Sequence, residues 1–178
     1  MEIRELAIQI LSSSSLEDKL TNPSILTDFS PGSSLHWKEP EREAFMSFSK
    51  HSRKDKLPKP HELANKDKRA VCLHRFAGHE LLAVEIMAFA LLKYTDAPKN
   101  FRRAVAHTLL EEQEHVRLYL KELARLGVQF GDLPLYRHFW SYTSDLLTPC
   151  HYLSMMSLTF EMANLDFAPM YATAFERY

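Results

Sequence analysis

The chain has 178 residues, of which 46% are hydrophobic and 25% charged, and its formal net charge is −1. This length suits a single domain with a hydrophobic core, and the near-neutral charge excludes a general nucleic-acid binder. Four glycines against eleven phenylalanines and seven methionines indicate a helical protein rather than a β-sandwich or a β-barrel.

The distribution of cysteines and apolar residues excludes further classes of protein. Cys72 and Cys150 are far apart in the sequence and form no CxxC motif, which argues against a disulfide framework or a zinc knuckle. The longest uncharged stretch, 146–160, is too short and too polar to span a bilayer. The N-terminus lacks the apolar core of a signal peptide. The expected location is therefore the cytoplasm, with no membrane partner.

Residues 1–64 predict an irregular, partly helical N-terminal arm. Serine- and proline-containing segments interrupt it, leaving short helical patches at 2–11 and 39–49. The stretch 50–69, at its end, has eight Lys or Arg against three Asp or Glu. Such charge runs usually remain solvated. The alternative is a surface that faces phosphate or RNA, although aromatic residues are not interleaved as a stacking platform requires.

Residues 65–178 predict a helical bundle. Asp96 is expected to cap the second helix, Gly127 to end it and Thr148 to cap the third, which Pro169 could kink. The connection between the first two helices is short, so these two should pack antiparallel. The predicted helices span about 66–94, 97–126 and 149–178.

Acidic residues fall on the apolar faces of the first and third helices. At 100° per residue, Glu80 lies in the middle of the apolar stripe of the first helix, with His74 and Glu85 well to one side. On the third helix, Glu161 lies among small residues that leave room beside its carboxylate.

The second helix contains the motif EEQEH, which resolves into an inward and an outward part. Glu112 and His115, at positions i and i+3, share the apolar face, whereas Glu111 and Glu114 point toward the flank and solvent. Tyr119 follows one turn beyond His115. It is either a core residue or a neighbour of a site formed by these side chains.

Each feature taken alone has an ordinary explanation. A single Glu on an apolar stripe commonly reaches water at the rim of a bundle, and Glu-x-x-His occurs by chance. Burying several ionised groups together costs several kcal/mol per uncompensated ion, so their coincidence predicts a metal site. Oxygen and imidazole ligands suit Fe or Mn. The candidate ligands are Glu80, Glu112, His115 and Glu161.

This pattern resembles the ferritin-like carboxylate-bridged dimetal proteins, in which two helices provide one Glu each and two provide Glu-x-x-His. More narrowly, the chain is similar to an uncharacterised bacterial ferritin-like family of unknown function, whose distant relatives include a tRNA-modifying hydroxylase. The resemblance covers about residues 65–178, with a weaker match in the N-terminal arm. The phrases that carry it are HRFAGHELLAVEIMAFALL, EEQEHVRLYLKELARLGV, FGDLPLYRHFW and MSLTFEMANLDFAPMY.

The resemblance implies a centre of two Fe or Mn ions. Glu80 would be a terminal ligand, Glu112 a bridging carboxylate with His115 on the same metal, and Glu161 the carboxylate of the third helix. The fourth helix, with a second Glu-x-x-His, would begin beyond the 178 residues. Three of the four core helices are therefore expected, and this chain should bind partial or no metal.

The implied function is an oxygen- or peroxide-using oxidoreductase of unidentified substrate, with this chain alone expected to be inactive. The alternatives are a ferroxidase or metal-handling protein, and a non-catalytic helical interaction module. The open helix seam predicts a homodimer, or association with the missing C-terminal segment. Nucleic acid is not an expected partner, and tRNA would follow only by analogy with the distant relatives.

Overall fold

The computed structural model describes residues 1–49 and 56–178, apart from the side chain of Glu161. Within these ranges the chain forms helices and loops, with two isolated β-bridges and no strand. The all-α fold class predicted from composition is confirmed. None of the described helices combines the length and hydropathy that a bilayer crossing requires.

The two longest helices, α3 (Lys66–Lys93) and α4 (Lys99–Leu126), pack antiparallel. The Asn65 side chain caps α3 by accepting backbone N–H hydrogen bonds from Asp67 and Lys68. At one end of the pair the rings of Tyr94 and Phe101 are 6.5 Å apart. Toward the other end, an aromatic contact joins residues 76 and 119. This antiparallel register places residue 80 of α3 opposite residue 115 of α4.

The helix ends agree with the sequence prediction at two positions and differ at a third. Gly127 ends α4 in the left-handed conformation, with φ of 77°, and Thr148 caps the following helix by accepting from the His151 N–H. The prediction that Asp96 caps α4 is wrong, because Pro98 occupies that position. The Ala97 N–H donates to the Tyr94 carbonyl, so Asp96 lies within a tight turn.

The third long helix runs without a break from Pro149 to Phe175, but its middle has π-helical hydrogen bonding, which was not expected. The chain forms α5 (Pro149–Tyr152), a π-helical segment (Leu153–Glu161) and α6 (Met162–Phe175), which continues through Pro169. The Tyr152 ring packs against Phe101, near the turn between α3 and α4. At the far end, Tyr171 packs edge-on against Phe76. The whole segment therefore runs along α3, from near its end back toward its start.

The N-terminal arm is part of the hydrophobic core. Its helix α1 (Ile3–Ser12) buries Ile3, Leu6 and Ile10 against the second half of α3. A short helix, α2 (Leu16–Lys19), follows. Of the helical patch expected at 39–49, only a 3₁₀ turn at Ala44–Met46 forms. Two further 3₁₀ turns, Pro60–Ala64 and Trp140–Ser144, lie in the connections.

A buried group of charges, the arm ion cluster of Glu85, Lys19 and Arg42, joins the arm to α3. The Lys19 Nζ lies 3.1 Å from one Glu85 oxygen, and the Arg42 Nη2 lies 2.5 Å from the other. All three side chains are buried. Glu85 was placed beside the apolar stripe, and the arm covers that side of α3. Burial lowers the pKa of Lys19, and the Glu85 carboxylate opposes that effect.

A second buried ion pair fastens the arm to the turn between α3 and α4. The Arg102 guanidinium contacts the Asp28 carboxylate at 3.0 Å and donates to the carbonyls of Leu91 and Tyr94. Arg102 is almost completely buried. The Arg102 guanidinium therefore hydrogen-bonds carbonyls at the end of α3 and also neutralises the buried Asp28 carboxylate of the arm.

His74 is buried beneath the loop that follows α4. Its Nε2 accepts a hydrogen bond from the Gly131 N–H at 2.9 Å, and its ring stacks on Phe130. Burial lowers the pKa of His74 to about 4. Asp132 opposes this change, and Arg75 adds to it. His74 is therefore neutral at pH 7, and when neutral it carries its proton on Nδ1.

Acidification should destabilise the fold through His74. Its pKa is lower in the folded chain, about 4, than the ordinary value of 6.5, so the unfolded chain binds the extra proton first. The free energy of unfolding should fall by about 3 kcal/mol as the pH decreases from 6.5 to 4. Urea unfolding across this range measures the loss. The loss of unfolding free energy should be much smaller in His74→Gln. It should be unchanged in the control His107→Gln, because the His107 side chain is exposed.

Candidate metal centre

Three of the four candidate ligands meet between α3 and α4. Glu80, Glu112 and His115 can each present one ligand atom such that all three atoms lie within 4.8 Å of one another. Glu80 comes from α3 and the other two from α4. The antiparallel register brings Glu80 opposite His115, and Glu112 is one helical turn away on the same side. We call these three residues the Glu–Glu–His cluster.

The two residues from α4 are in direct contact. The His115 Nδ1 lies 2.7 Å from Glu112 Oε2 and donates a hydrogen bond to that carboxylate oxygen. An i, i+3 spacing brings side chains to adjacent positions on a helix surface, which is why the Glu-x-x-His motif forms this pair. The pair presents a carboxylate and an imidazole from a single turn of helix.

The members of the Glu–Glu–His cluster differ in exposure. Glu112 is buried and Glu80 is half-buried, but the His115 side chain is 52% exposed. The prediction that Glu112 and His115 both point inward is therefore wrong for His115. Three residues correspond to 300° of helix rotation, which places His115 about 60° from Glu112, at the edge of the apolar stripe. The cost of burying charge applies most strongly to Glu112.

The fourth candidate ligand, Glu161, is the last residue of the π-helical segment. Its side chain lies outside the described part of the structure, so its role as a ligand stays a prediction. π-Helical segments change the direction in which side chains leave a helix, and they occur frequently at functional sites.

Tyr119 packs against the hydrophobic core and lies near the carboxylates of the Glu–Glu–His cluster, and its role beside a metal stays a prediction. The pKa of Tyr119 is raised to about 12, mainly by burial and then by the neighbouring acidic groups Glu80, Cys72 and Glu112. The Tyr119 ring contacts Phe76 at 5.6 Å, and Phe76 also contacts Tyr171 of α6. The phenol is therefore protonated at neutral pH and belongs to an aromatic wall beside the cluster.

Tyr171, which packs on Phe76 of the aromatic wall, makes a contact that sequence reasoning missed. Its hydroxyl donates to the Pro58 carbonyl at 2.8 Å, which joins α6 to the chain before α3. Helical periodicity carries no signal for this contact, because a loop residue provides the acceptor. The contact holds α6 against the aromatic wall.

The thiol closest to this region is not suited to bind metal. Burial raises the pKa of Cys72 to about 12, although the Arg75 charge opposes the change. Cys72 is therefore a neutral thiol at pH 7, whereas metal binding and nucleophilic attack require a thiolate. The donors that the described residues bring together are two carboxylates and one imidazole.

One of the comparisons with known proteins assigns the chain to a family. The chain matches the family model described as "Protein of unknown function (DUF455)" over residues 5–178. The chain belongs to this family. The match includes the arm as well as the long helices, and the DUF455 description names no reaction. No curated protein and no solved structure matches the chain.

In this DUF455 protein, an open cleft lies beside the π-helical segment. Its volume is about 600 Å³ and its lining is mainly apolar. Met155 and Phe160 of the π-helical segment and Tyr142 of the preceding 3₁₀ turn form its walls. His151 and Asp145 add polar groups. Clefts of this size with a few polar groups commonly accommodate small organic molecules.

A series of ring contacts connects this cleft with α3. His79, the residue before Glu80, packs edge-on against Phe139 with ring centroids 5.1 Å apart. Phe139 in turn packs against Phe160 of the cleft at 4.8 Å. The cleft wall is therefore joined by direct contacts to the turn of α3 that carries Glu80.

Proposed function

We propose that the Glu–Glu–His cluster is part of an Fe or Mn centre of the oxygen- or peroxide-using kind, in a protein that acts as an oxidoreductase. The observation that carries the proposal is the convergence of three ligand atoms within 4.8 Å, from two helices that the antiparallel register aligns. Glu161 is proposed as a further carboxylate from the π-helical segment. By the resemblance to carboxylate-bridged proteins, two metal ions would share these ligands.

Electrostatics supports a cation at this position. Glu80 and Glu112 approach each other where Glu112 is buried, and two nearby carboxylates both ionise at a lower cost when a cation lies between them. Burial is the main cause of the raised pKa of Tyr119, and the two carboxylates add to it. Hard oxygen donors with one imidazole suit Fe or Mn better than the thiolate-rich sites typical of structural zinc.

The residues of the chain have separate tasks in this proposal. A bound transition metal supplies the redox chemistry with oxygen or peroxide. Glu112 and His115 would hold the metal ion from one turn of α4, and Glu80 would hold it from the facing helix α3. Tyr119 and Phe76 would exclude water from one side of the metal, and the Tyr119 hydroxyl keeps its proton at neutral pH. The cleft beside the π-helical segment is the proposed substrate site, which favours an apolar organic substrate.

Metal analysis tests this proposal. The chain should be expressed in medium supplemented with iron and manganese, and the metal content and the ultraviolet–visible spectrum measured before and after exposure to air. We expect Fe or Mn at partial stoichiometry, because the described residues bring together only part of a dimetal ligand set, and a spectral change in air. The absence of any transition metal would contradict the proposal. A different outcome would favour a ferroxidase: the bound metal is oxidised in air, but no added organic substrate speeds this oxidation or is itself consumed.

A different observation favours a helical interaction module as a second candidate function. Large apolar side chains remain exposed along the π-helical segment and α6, and exposed apolar patches commonly mark interfaces. A second copy of the chain could cover this surface by two-fold symmetry. The exposed residues are Leu158, Met162, Leu165, Phe167 and Met170.

If two copies associate through this surface, the protein should be a dimer, and a single charged substitution in the surface should disrupt that dimer. Light scattering should give twice the chain mass for the unmodified protein and a shift toward monomer for Leu165→Glu. The matched control is Ile25→Glu, because Ile25 is equally exposed but lies in the arm. A monomer before substitution, or the same shift in both variants, would contradict self-association through α6.

A further inference from the structure

A basic pocket lies beside the first half of α3, and the proposed function makes no use of it. It is half-open, with a volume of about 180 Å³, and three cationic side chains, Lys56, Lys68 and Arg75, line it. Val71 and Leu133 form apolar walls. Among the described residues that line the pocket, none is Asp or Glu. We call this site the basic pocket.

The pocket is formed where residues 56–69, the described part of the basic stretch, meet the loop after α4. Lys68, Val71 and Arg75 follow one another on a single face of α3, at spacings of three and four residues. The loop contributes Leu133 and Tyr136. The sequence offered two interpretations of the stretch 50–69, a solvated run or a phosphate-facing surface. In the folded chain, Arg75 and the loop residues Leu133 and Tyr136 form a concave site together with Lys56 and Lys68.

The cations differ in how firmly they are held. Arg75 is buried, and its guanidinium lies 4.7 Å from the centre of the Tyr136 ring. Lys68 is about half exposed, with a long 3.9 Å contact to Glu62. An exposed pair at this distance contributes little and leaves the lysine free to turn into the pocket. A rigid guanidinium beside adaptable lysines is a common arrangement for binding phosphate.

His74 adds a neutral donor to the wall of the basic pocket. Its Nε2 is occupied by the Gly131 N–H, so the proton of the neutral ring is on Nδ1. The Asp132 carboxylate interacts electrostatically with His74. It also accepts a hydrogen bond from the Gln129 N–H. Apolar walls concentrate the field of the three cations in the pocket.

We propose that the basic pocket binds the phosphate group of a small phosphate monoester. Three cations match a phosphate monoester, with about two negative charges at neutral pH, better than a singly charged carboxylate. A confined pocket suits a single phosphate group, whereas single-stranded RNA requires a longer groove with free aromatic rings. The Tyr136 ring is already covered by Arg75. This site is independent of the Glu–Glu–His cluster, because Glu80 lies about 140° around α3 from Arg75.

Calorimetric titration with methyl phosphate tests the proposal, with acetate as the carboxylate comparison. We expect saturable binding of methyl phosphate at millimolar concentration and no saturation with acetate. Lys68→Gln should weaken binding about tenfold, the effect of losing one charge-assisted hydrogen bond. Lys56→Gln provides a second variant at an exposed position, so folding is preserved. The matched control is Lys121→Gln, on the exposed surface of α4, which should leave binding unchanged.

Three results would overturn the proposal. The first is no saturable binding of methyl phosphate. The second is an equal loss of binding in Lys121→Gln, which would indicate a general effect of net charge. The third is that a single-stranded RNA oligomer binds, that Lys68→Gln weakens this binding, and that methyl phosphate does not bind. This result would show that the ligand is a nucleic acid rather than a small phosphate monoester. Metal content is not involved in any of these measurements, so the outcome is separate from that of the proposed function.

Discussion

Glu112→Gln is expected to abolish the binding of Fe or Mn. The substitution keeps the shape of the side chain but removes the negative charge of the most buried member of the Glu–Glu–His cluster. It also weakens the contact that orients His115. Because even residues that only support a ligand change metal affinity by about 10–100-fold, the loss of this carboxylate should reduce the affinity by at least about 100-fold. Metal stoichiometry after dialysis against a weak chelator measures the effect.

The neighbouring residue provides the matched control. Glu111 is exposed on the same helix and contacts His107 at the surface, so Glu111→Gln should retain metal. Unchanged metal stoichiometry in Glu112→Gln would show that the ligand assignment is wrong. The variant Glu161→Gln then decides whether the π-helical segment contributes a ligand, because retention of full metal content would remove Glu161 from the proposed set.

Glu85→Gln is expected to lower the free energy of unfolding by about 3–5 kcal/mol, the cost of breaking a buried ion pair. Lys19 and Arg42 would remain buried without their carboxylate. The native stability of a domain of this kind is about 5–15 kcal/mol, so the variant should be close to unfolding at physiological temperature. Urea unfolding followed by circular dichroism measures the change.

A surface ion pair of the same type provides the comparison. Glu122 contacts Arg125 at 2.6 Å, and both side chains are well exposed. Glu122→Gln should change the free energy of unfolding by no more than about 1 kcal/mol, since water screens such a pair. Equal effects of the two substitutions would contradict the view that the arm ion cluster holds the arm to α3.

The sequence predicted the long helices well because their signals are local. Apolar residues repeat with the helical period in α4, and α3 is apolar and buried on most sides. Gly127 adopts the left-handed conformation that ends a helix, and Thr148 caps the next one. The Glu-x-x-His pair follows from the same periodicity, because residues three apart are neighbours on any helix. Placing Glu80 near that pair required only that two adjacent helices pack antiparallel.

The errors arose where a distant part of the chain changes the surroundings of a helix. A helical wheel cannot show that the arm covers the side of α3 that carries Glu85, or that His115 remains at an open edge. Asp96 has the side chain of a helix cap, but the turn closed by the Tyr94 carbonyl displaces it from that position. The π-helical segment has the composition of an ordinary helix, and its geometry was not predicted.

By itself, the sequence determined the all-α class, the bounds of the periodic helices and the pairing of Glu112 with His115, because these depend on residues within a few turns of one another. The tertiary structure alone decided which of the charges are buried, which meet across helices and which share the basic pocket. The physical reason is that burial and charge pairing depend on contacts between residues far apart in the chain, such as Lys19 with Glu85 and Arg75 with Tyr136.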